Sequence, residues 1–356
     1  MNELEKMITD LDSIHGVSGD EEYVADYITG KMSSITDEQY TDSFGNRIFV
    51  KNGTHPSLKV MIAAHMDEIG YIVNYIDDKG FIDFLPVGIH DARLSINQAV
   101  NINTIKGTVN GVIGNKPSHV VSEAEASMAI PFDELFIDVG TSTREETEQL
   151  GVAIGDYLSI DRKGRFLNNG KVYSGKSIDN RSGCAVMIQT MRELHQTELS
   201  PTIYAVATVQ EEIGIRGAGP AAYAIKPDVA IVVDVTFAGG TPNISDRSIP
   251  IQMGKGPAIK FFDWSLHTFN GNAVSKKMTN QLMEVAKRNG IPFQREVIVH
   301  GATDGAKISL AGEGILTGAI SIPMRYMHSA IGCVNMSDLK NSVSLLKEYL
   351  LTLDKL

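Results

Sequence analysis

The order of hydrophobic patterns along the chain constrains its fold more than any other feature. Near both ends of the sequence, continuous apolar runs such as LKVMIAA (58–64) alternate with amphipathic helical segments. Such runs are typical of strands buried on both faces of a sheet. From about Gly70 to about Asp161, short strands separated by Gly, Asn and Asp turns replace this alternation. The sequence therefore predicts an α/β domain interrupted by a small all-β insert.

Local signals refine this prediction at a few positions. SGDE, from Ser18 to Glu21, matches a capping box and predicts the start of a helix. Ser337 is a natural N-cap for the closing helix. A hairpin is expected to turn at Asp78-Lys79-Gly80.

Composition excludes several classes of partner. The 356-residue chain carries a net charge of −11, which argues against a nucleic-acid backbone or an anionic membrane as partner, because both require a basic face. The N-terminus lacks the pattern of a signal peptide, and no apolar run approaches the roughly 18 residues of a membrane span. The two cysteines form no CxxC motif. We expect a soluble, cytoplasmic protein.

Polar residues at the ends of the apolar strands carry the functional signal. In open α/β sheets, sites form just beyond the carboxyl ends of the strands. Each candidate also has an ordinary structural explanation, because Asp179 and Asp234 suit helix N-caps and the adjacent Glu211 and Glu212 suit a solvated turn. Together they favour one or two divalent ions, which would neutralise the clustered carboxylates. The strand and loop ends contribute His65, Asp67, Asp179, Glu211, Glu212, Asp234 and His328.

Motifs spread over the whole chain resemble one family. In order, they are AAHMDEIG, GVIGNKPSH, SIDNRSG, VQEEIGIRG, VVDV, GATDGA and PMRYMHS. The sequence resembles the tetrahedral (TET-type) dinuclear metallo-aminopeptidases, which include glutamyl and deblocking aminopeptidases and some proteins labelled endoglucanase or cellulase. This resemblance implies an α/β/α catalytic sandwich with a mixed, phosphorylase/hydrolase-like sheet and an inserted, PDZ-like β-barrel. We place the catalytic domain at residues 1–71 and 163–356, and the insert at 72–162.

The resemblance also implies a role for each candidate residue. Asp179 would bridge two metal ions, zinc being expected and cobalt or manganese possible alternatives. One ion would also bind His65 and Asp234, and the other Glu212 and His328. The remaining pair would act without binding metal: Asp67 would orient the His65 imidazole, and Glu211 would be the general base. A cis peptide between Asp179 and Asn180 is expected in addition.

Three further features leave alternatives open. In GATDGAKI, Lys307 is either a solvated lysine at a helix start or part of a pocket wall that selects the first side chain of the substrate. Arg325 is either structural or an anion contact. If either cation reached the site, acidic first residues would be preferred; otherwise, neutral aliphatic ones would be. His119, in the insert, has no assigned mechanism.

The function that we predict is metal-dependent removal of the N-terminal residue from short peptides. One rival is a two-metal N-acyl amidohydrolase or deacylase with the same ligands. A glycoside hydrolase is a weaker rival, because it would use a carboxylate pair without metal ions and an aromatic-lined cleft, whereas the chain has one tryptophan, Trp264. A non-enzymatic binding module would not explain a free base beside a ligand. The resemblance also implies dimers that assemble into a hollow dodecamer through the insert.

Overall fold

The computed structural model describes residues 1–123, 127–266 and 268–353. The helices are α1 Glu3–Ser13, α2 Glu22–Met32, α3 Ala92–Ser95, α4 Arg144–Leu150, α5 Ile178–Leu194, α6 Ala218–Ile225, α7 Lys276–Arg288, α8 Gly305–Ile308 and α9 Met336–Thr352. The strands are β1 Glu38–Thr41, β2 Arg47–Lys51, β3 His55–His65, β4 Gly70–Ile76, β5 Ile82–Val87, β6 Ala99–Thr104, β7 Gly107–Gly114, β8 Phe136–Asp138, β9 Tyr157–Ile160, β10 Arg165–Leu167, β11 Val172–Gly175, β12 Pro201–Thr208, β13 Val229–Phe237, β14 Ala258–Ser265, β15 Asn270–Ala273, β16 Gln294–Val299, β17 Leu316–Arg325 and β18 Gly332–Asn335.

A mixed sheet forms the larger part of the molecule, as the sequence predicts. Its strands follow the order β1-β2-β12-β3-β13-β17-β18-β11-β10, and β14 to β16 branch from β17. The central strands β12, β3, β13 and β17 are parallel, whereas the flanking pairs are antiparallel. Their carboxyl ends therefore meet at one edge of the sheet, where the sequence places its polar residues.

Both faces of this sheet are buried. In β3, Val60 and Ile62 belong to one hydrophobic cluster, whereas Met61 and Ala63 belong to another. This split follows from the alternation of side chains along a strand. The first cluster includes residues of α1, α2, α5, α7 and α9, and the second includes residues of α6 and α8. Helices therefore cover the apolar side chains of the central strands on each face.

A closed antiparallel barrel forms the second part of the molecule. Its strands follow the order β4-β5-β8-β7-β6-β9, and β9 pairs with β4 to close it. The barrel has its own core, which includes Tyr71, Phe84 and Leu158. The expected hairpin connects β4 and β5 through Asp78-Lys79-Gly80, where Gly80 adopts a positive φ of 87°. The division of the chain at residues 72 and 162 stays a prediction.

Two predicted caps are wrong. Glu21, and not Ser18, is the N-cap of α2 and makes no side-chain capping bond. The Ser18 hydroxyl donates to the distant Asp67 carboxylate. The closing helix α9 is capped by Asn335, whose side chain accepts from the Ser337 amide. At α2 no side chain of the N-cap residue makes a capping bond. At α9 the asparagine two positions before the predicted serine provides it.

Cys184 and Cys333 are both buried and free of disulfide bonds. Among the described residues, no helix is both long enough and apolar enough to cross a membrane.

Candidate metal centre

The candidate site lies at the carboxyl ends of the parallel strands. His65 is the last residue of β3 and lies in register with Thr208, the last residue of β12. The loop after β12 and the segment after β17 approach the same point, because their strands run in the same direction as β3. One cavity is lined by His65, Asp179, Glu211, Glu212, Asp234 and His328.

His65, Asp179 and Asp234 form one group of possible metal ligands. The His65 Nε2 atom lies 3.2 Å from Asp179 Oδ1 and 3.6 Å from Asp234 Oδ1. One donor atom from each residue lies within 4.8 Å of the other two. Imidazole nitrogen and carboxylate oxygen are the usual ligands of zinc, and similar sets bind other divalent metals.

Asp179, Glu212 and His328 form a second group. The His328 Nε2 atom lies 3.5 Å from Asp179 Oδ2 and 3.4 Å from Glu212 Oε2. Asp179 thus belongs to both groups and turns a different carboxylate oxygen to each histidine. This arrangement matches the donor set that a pair of divalent ions bridged by one carboxylate requires.

The charge balance of the two groups also fits cations. Burial of His328 opposes its protonation, but the Glu212 and Asp179 carboxylates outweigh burial and raise the pKa of its imidazole to about 10. Burial likewise opposes protonation of His65, and Asp234 and Asp179 outweigh it and raise its pKa well above the usual range. The carboxylates thus favour positive charge at both Nε2 atoms, which is where a metal ion would replace a proton.

Asp179 leaves the regular helix at the start of α5. Its ψ angle is 108°, and the following Asn180 is also non-helical. The peptide bond between them is cis, as the family resemblance implies. The Asn180 side chain donates to the Val233 carbonyl at 2.9 Å and accepts from the Gly183 amide at 3.0 Å. Asn180 thereby connects the start of α5 to β13, the strand that carries Asp234.

Asp67 connects three segments beneath the candidate ligands. Its carboxylate accepts hydrogen bonds from the amides of Glu211 and Glu212, each at 3.1 Å, and from the Ser18 hydroxyl at 2.6 Å. Asp67 Oδ1 also lies 3.3 Å from His65 Nδ1. Asp67 is fully buried, so its carboxylate fixes the loop after β12 relative to the end of β3.

Glu211 lines the cavity but belongs to neither ligand group. Burial raises the pKa of its carboxyl well above the usual range; His65 opposes this shift, and the Glu212 and Asp234 carboxylates reinforce it. A carboxylate that holds a proton more strongly than a free one suits a group that accepts and returns a proton.

Two further groups contact or line the candidate site and were not predicted from the sequence. The backbone carbonyl of Ile89, which follows barrel strand β5, accepts from His328 Nδ1 at 3.0 Å; a backbone group leaves no side-chain signal in the sequence. Lys260, in β14, is buried and lines the cavity. Its Nζ atom lies 3.6 Å from Glu296 and 3.7 Å from Asp263. A lysine inside the apolar run AIKFF is the signal that could have identified it.

The remaining predicted residues lie elsewhere among the described residues. Lys307 lines a separate surface groove together with Tyr223 and Leu310. Arg325 donates to the backbone carbonyls of Gly239 and Gly240. Neither cation is among the residues that line the cavity, so a direct contact of either with the first substrate residue is not supported. His119 is exposed in a short 3₁₀ helix of the insert, Ser118–Val120.

Comparison with known proteins identifies the family of this chain. The profile of the family described as "M42 glutamyl aminopeptidase" matches residues 45–345. The chain belongs to the M42 glutamyl aminopeptidase family. Family membership makes it a hydrolase of the aminopeptidase type, and the resemblance seen in the sequence motifs is confirmed.

Individual relatives cover nearly the whole chain. A putative aminopeptidase of Acetivibrio thermocellus is 42% identical over 335 residues, which are 94% of each chain. The structure of the aminopeptidase APDkam598 of Desulfurococcus kamchatkensis is 38% identical, with a TM-score of 0.92, and the match covers 98% of this chain and 94% of the other. The structure of the TET1 peptidase of Pyrococcus horikoshii is 31% identical, with a TM-score of 0.85, and the match covers 97% of this chain and 98% of the other. That peptidase is described as able to assemble into a tetrahedron or a large octahedral shell.

Proposed function

We propose that this M42 protein is a cocatalytic, two-metal aminopeptidase that removes the N-terminal residue from short peptides. The observation that carries the proposal is that Asp179 turns one carboxylate oxygen to each of two ligand groups, while Glu211 lies in the same cavity outside both. His65 and Asp234 would complete one metal site, and Glu212 and His328 the other. Zinc is the metal that we expect, with cobalt or manganese as alternatives.

The residues would divide the work of peptide hydrolysis. Two divalent ions, when bound, supply Lewis-acid polarisation of a carbonyl and acidification of a water molecule. Glu211 would accept a proton from the attacking water and return it to the leaving amine, so that one carboxylate acts first as base and then as acid. Asp67 would keep Glu211 and Glu212 in place through their backbone amides.

The charges around the cavity affect which side chain is preferred at the first substrate residue. Lys307 and Arg325 do not line the cavity, so they provide no direct attraction for an acidic side chain there. Lys260 does line it, but Asp263 and Glu296 lie within 4 Å and offset its charge. Because no unopposed cation is found among the described lining residues, we expect neutral aliphatic first residues to be preferred over glutamate.

A substrate panel tests both the reaction and this preference. Leucyl, glutamyl and lysyl anilides would be compared with N-acetyl-leucyl anilide, using protein reconstituted with Zn²⁺, Co²⁺ or Mn²⁺ and protein treated with a chelator. We expect hydrolysis of the free-amine substrates only, fastest for leucyl, and loss of activity with chelator. Faster cleavage of the acetylated substrate would favour the N-acyl amidohydrolase, and full activity in chelator would contradict metal-dependent hydrolysis.

We also propose that the chain assembles through its barrel, which would be the PDZ-like module beside an α/β/α catalytic sandwich. Assembly would remove exposed apolar side chains from water, which is favourable. The insert exposes Leu85, Ile105, Val112, Met128 and Ile154. The tetrahedron described for the P. horikoshii relative supports a hollow dodecamer for this chain, with active sites that short peptides can reach and folded proteins cannot.

A further inference from the structure

One loop of the barrel reaches the candidate metal centre. This loop, residues 88–90, follows strand β5 and is called here the barrel loop. Its Ile89 carbonyl accepts from His328 Nδ1 at 3.0 Å. A Cβ atom placed on Gly88 would lie 3.5 Å from Glu212 Cβ. The barrel loop therefore lies against two members of the second ligand group, His328 and Glu212.

The first ligand group is held differently. The Nδ1 atom of His65 lies 3.2 Å from the backbone carbonyl of Asp67 and 3.3 Å from its carboxylate, within the segment that directly follows β3. Asp234 lies inside β13, at the centre of the sheet. The catalytic sheet thus supports His65 and Asp234, whereas a loop from the other part of the molecule contacts His328 and Glu212.

The barrel loop is itself anchored in the barrel core. The His90 ring packs on the buried Tyr71 ring with centroids 4.6 Å apart, and its Nε2 donates to the Val87 carbonyl at 3.1 Å. The Tyr71 hydroxyl is hydrogen-bonded to Ser95 at 2.7 Å. Gly88 has a φ of +88°, a conformation that glycine adopts without strain. These contacts fix the direction of the Ile89 carbonyl.

The consequence concerns which nitrogen of His328 can bind a metal ion. Because a carbonyl oxygen only accepts, His328 Nδ1 must carry the hydrogen in this contact. A neutral His328 then has its lone pair on Nε2, the nitrogen that faces Asp179 and Glu212. Partners of this kind fix the tautomer and ring orientation of metal-binding histidines, and their loss typically costs about 10–100-fold in metal affinity.

We propose that the barrel loop is a positioning element for one metal site only. By accepting from His328 Nδ1 and packing beside Glu212, it orients the ligands of the second site and leaves the first unaffected. The barrel would then contribute to the chemistry of its own subunit, in addition to any role in assembly. This inference rests on the two-metal site of the proposed function.

The test is Co²⁺ binding to the full-length protein, measured by chelator competition and by the visible absorption of the bound ion. Gly88→Ala forces a side chain into a positive-φ position, where its Cβ would approach Ile69 Cγ2 to 2.6 Å, and should displace the barrel loop. Gly140→Ala is the matched control, because Gly140 has a φ of +81° and no heavy atom within 4 Å of its Cβ position. His90→Ala, which removes the ring contact, answers the same question if Gly88→Ala does not fold.

We expect Gly140→Ala to bind two Co²⁺ ions as the unaltered protein does. In Gly88→Ala and His90→Ala, one of the two ions should bind about 10–100-fold more weakly, and its absorption spectrum should change. The affected ion should be the one whose binding Glu212→Gln also weakens. Unchanged affinities for both ions, or equal weakening of both, would overturn the positioning role. An unaltered protein that binds fewer than two ions would instead overturn the metal site of the proposed function.

Discussion

Glu211 and Glu212 are neighbours in sequence, yet their surroundings in the structure differ. The Glu212 carboxylate lies 3.4 Å from His328 Nε2 and belongs to the second ligand group. Glu211 lines the same cavity but belongs to neither group. Asp67 holds both backbone amides, so the loop conformation should survive the loss of either side-chain charge.

This difference predicts opposite phenotypes for two isosteric variants. Glu211→Gln should keep its bound metal and lose about 10²-fold or more in kcat, because it removes the proton acceptor and keeps the ligands. Glu212→Gln should lose metal affinity. Metal analysis and kinetics on both variants decide the assignment, and an empty metal site in Glu211→Gln would reverse it.

A second residue-scale prediction concerns Asp179. Because its two oxygens face His65 and His328 separately, Asp179→Ala should lower occupancy at both metal sites. Asp234→Ala is the comparison, since Asp234 belongs to one group only and should mainly affect one ion. Two tightly bound ions in Asp179→Ala would contradict a bridging role.

At this scale, the sequence was informative where a side chain follows an apolar strand. His65, Glu212, Asp234 and His328 lie at or near the carboxyl ends of the parallel strands β3, β12, β13 and β17, so their proximity could be expected. Asp179 differs, because it lies at the start of α5. The Ile89 carbonyl could not be expected in this way, because it is a backbone group from the other part of the molecule. For Lys307 the sequence left two alternatives open, a solvated lysine at a helix start or part of a pocket wall. In the structure it lies in α8 and lines a groove with Tyr223 and Leu310.

Among the elements, the barrel loop contains a titratable group whose effect can be measured. Burial lowers the pKa of His90 to about 4, from a usual value of 6.5; the Val87 carbonyl opposes the shift, and His328 adds to it. A depressed folded-state pKa means that His90 contributes stability above pH 6.5 and that this contribution is lost as the pH falls from 6.5 towards 4. The shift corresponds to about 3 kcal/mol in the free energy of unfolding.

His90→Phe keeps an aromatic ring and removes the titration. Denaturant unfolding of metal-free protein between pH 7.5 and 4.5 should show a smaller loss of stability in His90→Phe than in the unaltered protein. The comparison uses the change with pH within each protein, so the hydrogen bond lost in the variant does not affect it. Parallel stability curves for the two proteins would contradict the depressed pKa.

Elements were predictable where the local pattern alone determines them. The continuous apolar run of β3 and the Asp78-Lys79-Gly80 turn formed as expected, because burial on both faces and a positive φ are encoded within a few residues. The caps were not predictable to the same degree. Ser18 lies four residues before Glu22, the first residue of α2, and its hydroxyl donates to the buried Asp67 carboxylate far along the chain. A contact of that range is not encoded in the local pattern.

At the scale of the whole molecule, the barrel should determine assembly. Light scattering on the intact protein is expected to give a dodecamer, and a variant lacking residues 72–162 should remain smaller because it lacks the exposed apolar side chains of the insert. Circular dichroism on the variant checks that the remaining chain folds. A monomeric intact protein, or undiminished assembly after the deletion, would show that the insert has another purpose.

The closure of the barrel also affects how the contact between His65 and Asp179 forms during folding. The whole barrel segment lies between His65 and Asp179 in the sequence, although their side chains approach to 3.2 Å. Joining the ends of a long flexible segment carries an entropic cost that increases with its length. Here the first and last barrel strands are neighbours, with Tyr71 opposite Leu158, so a folded barrel returns the chain close to where it left. If the barrel folds first, His65 and Asp179 can meet by the closing of a short loop, although they are distant in sequence.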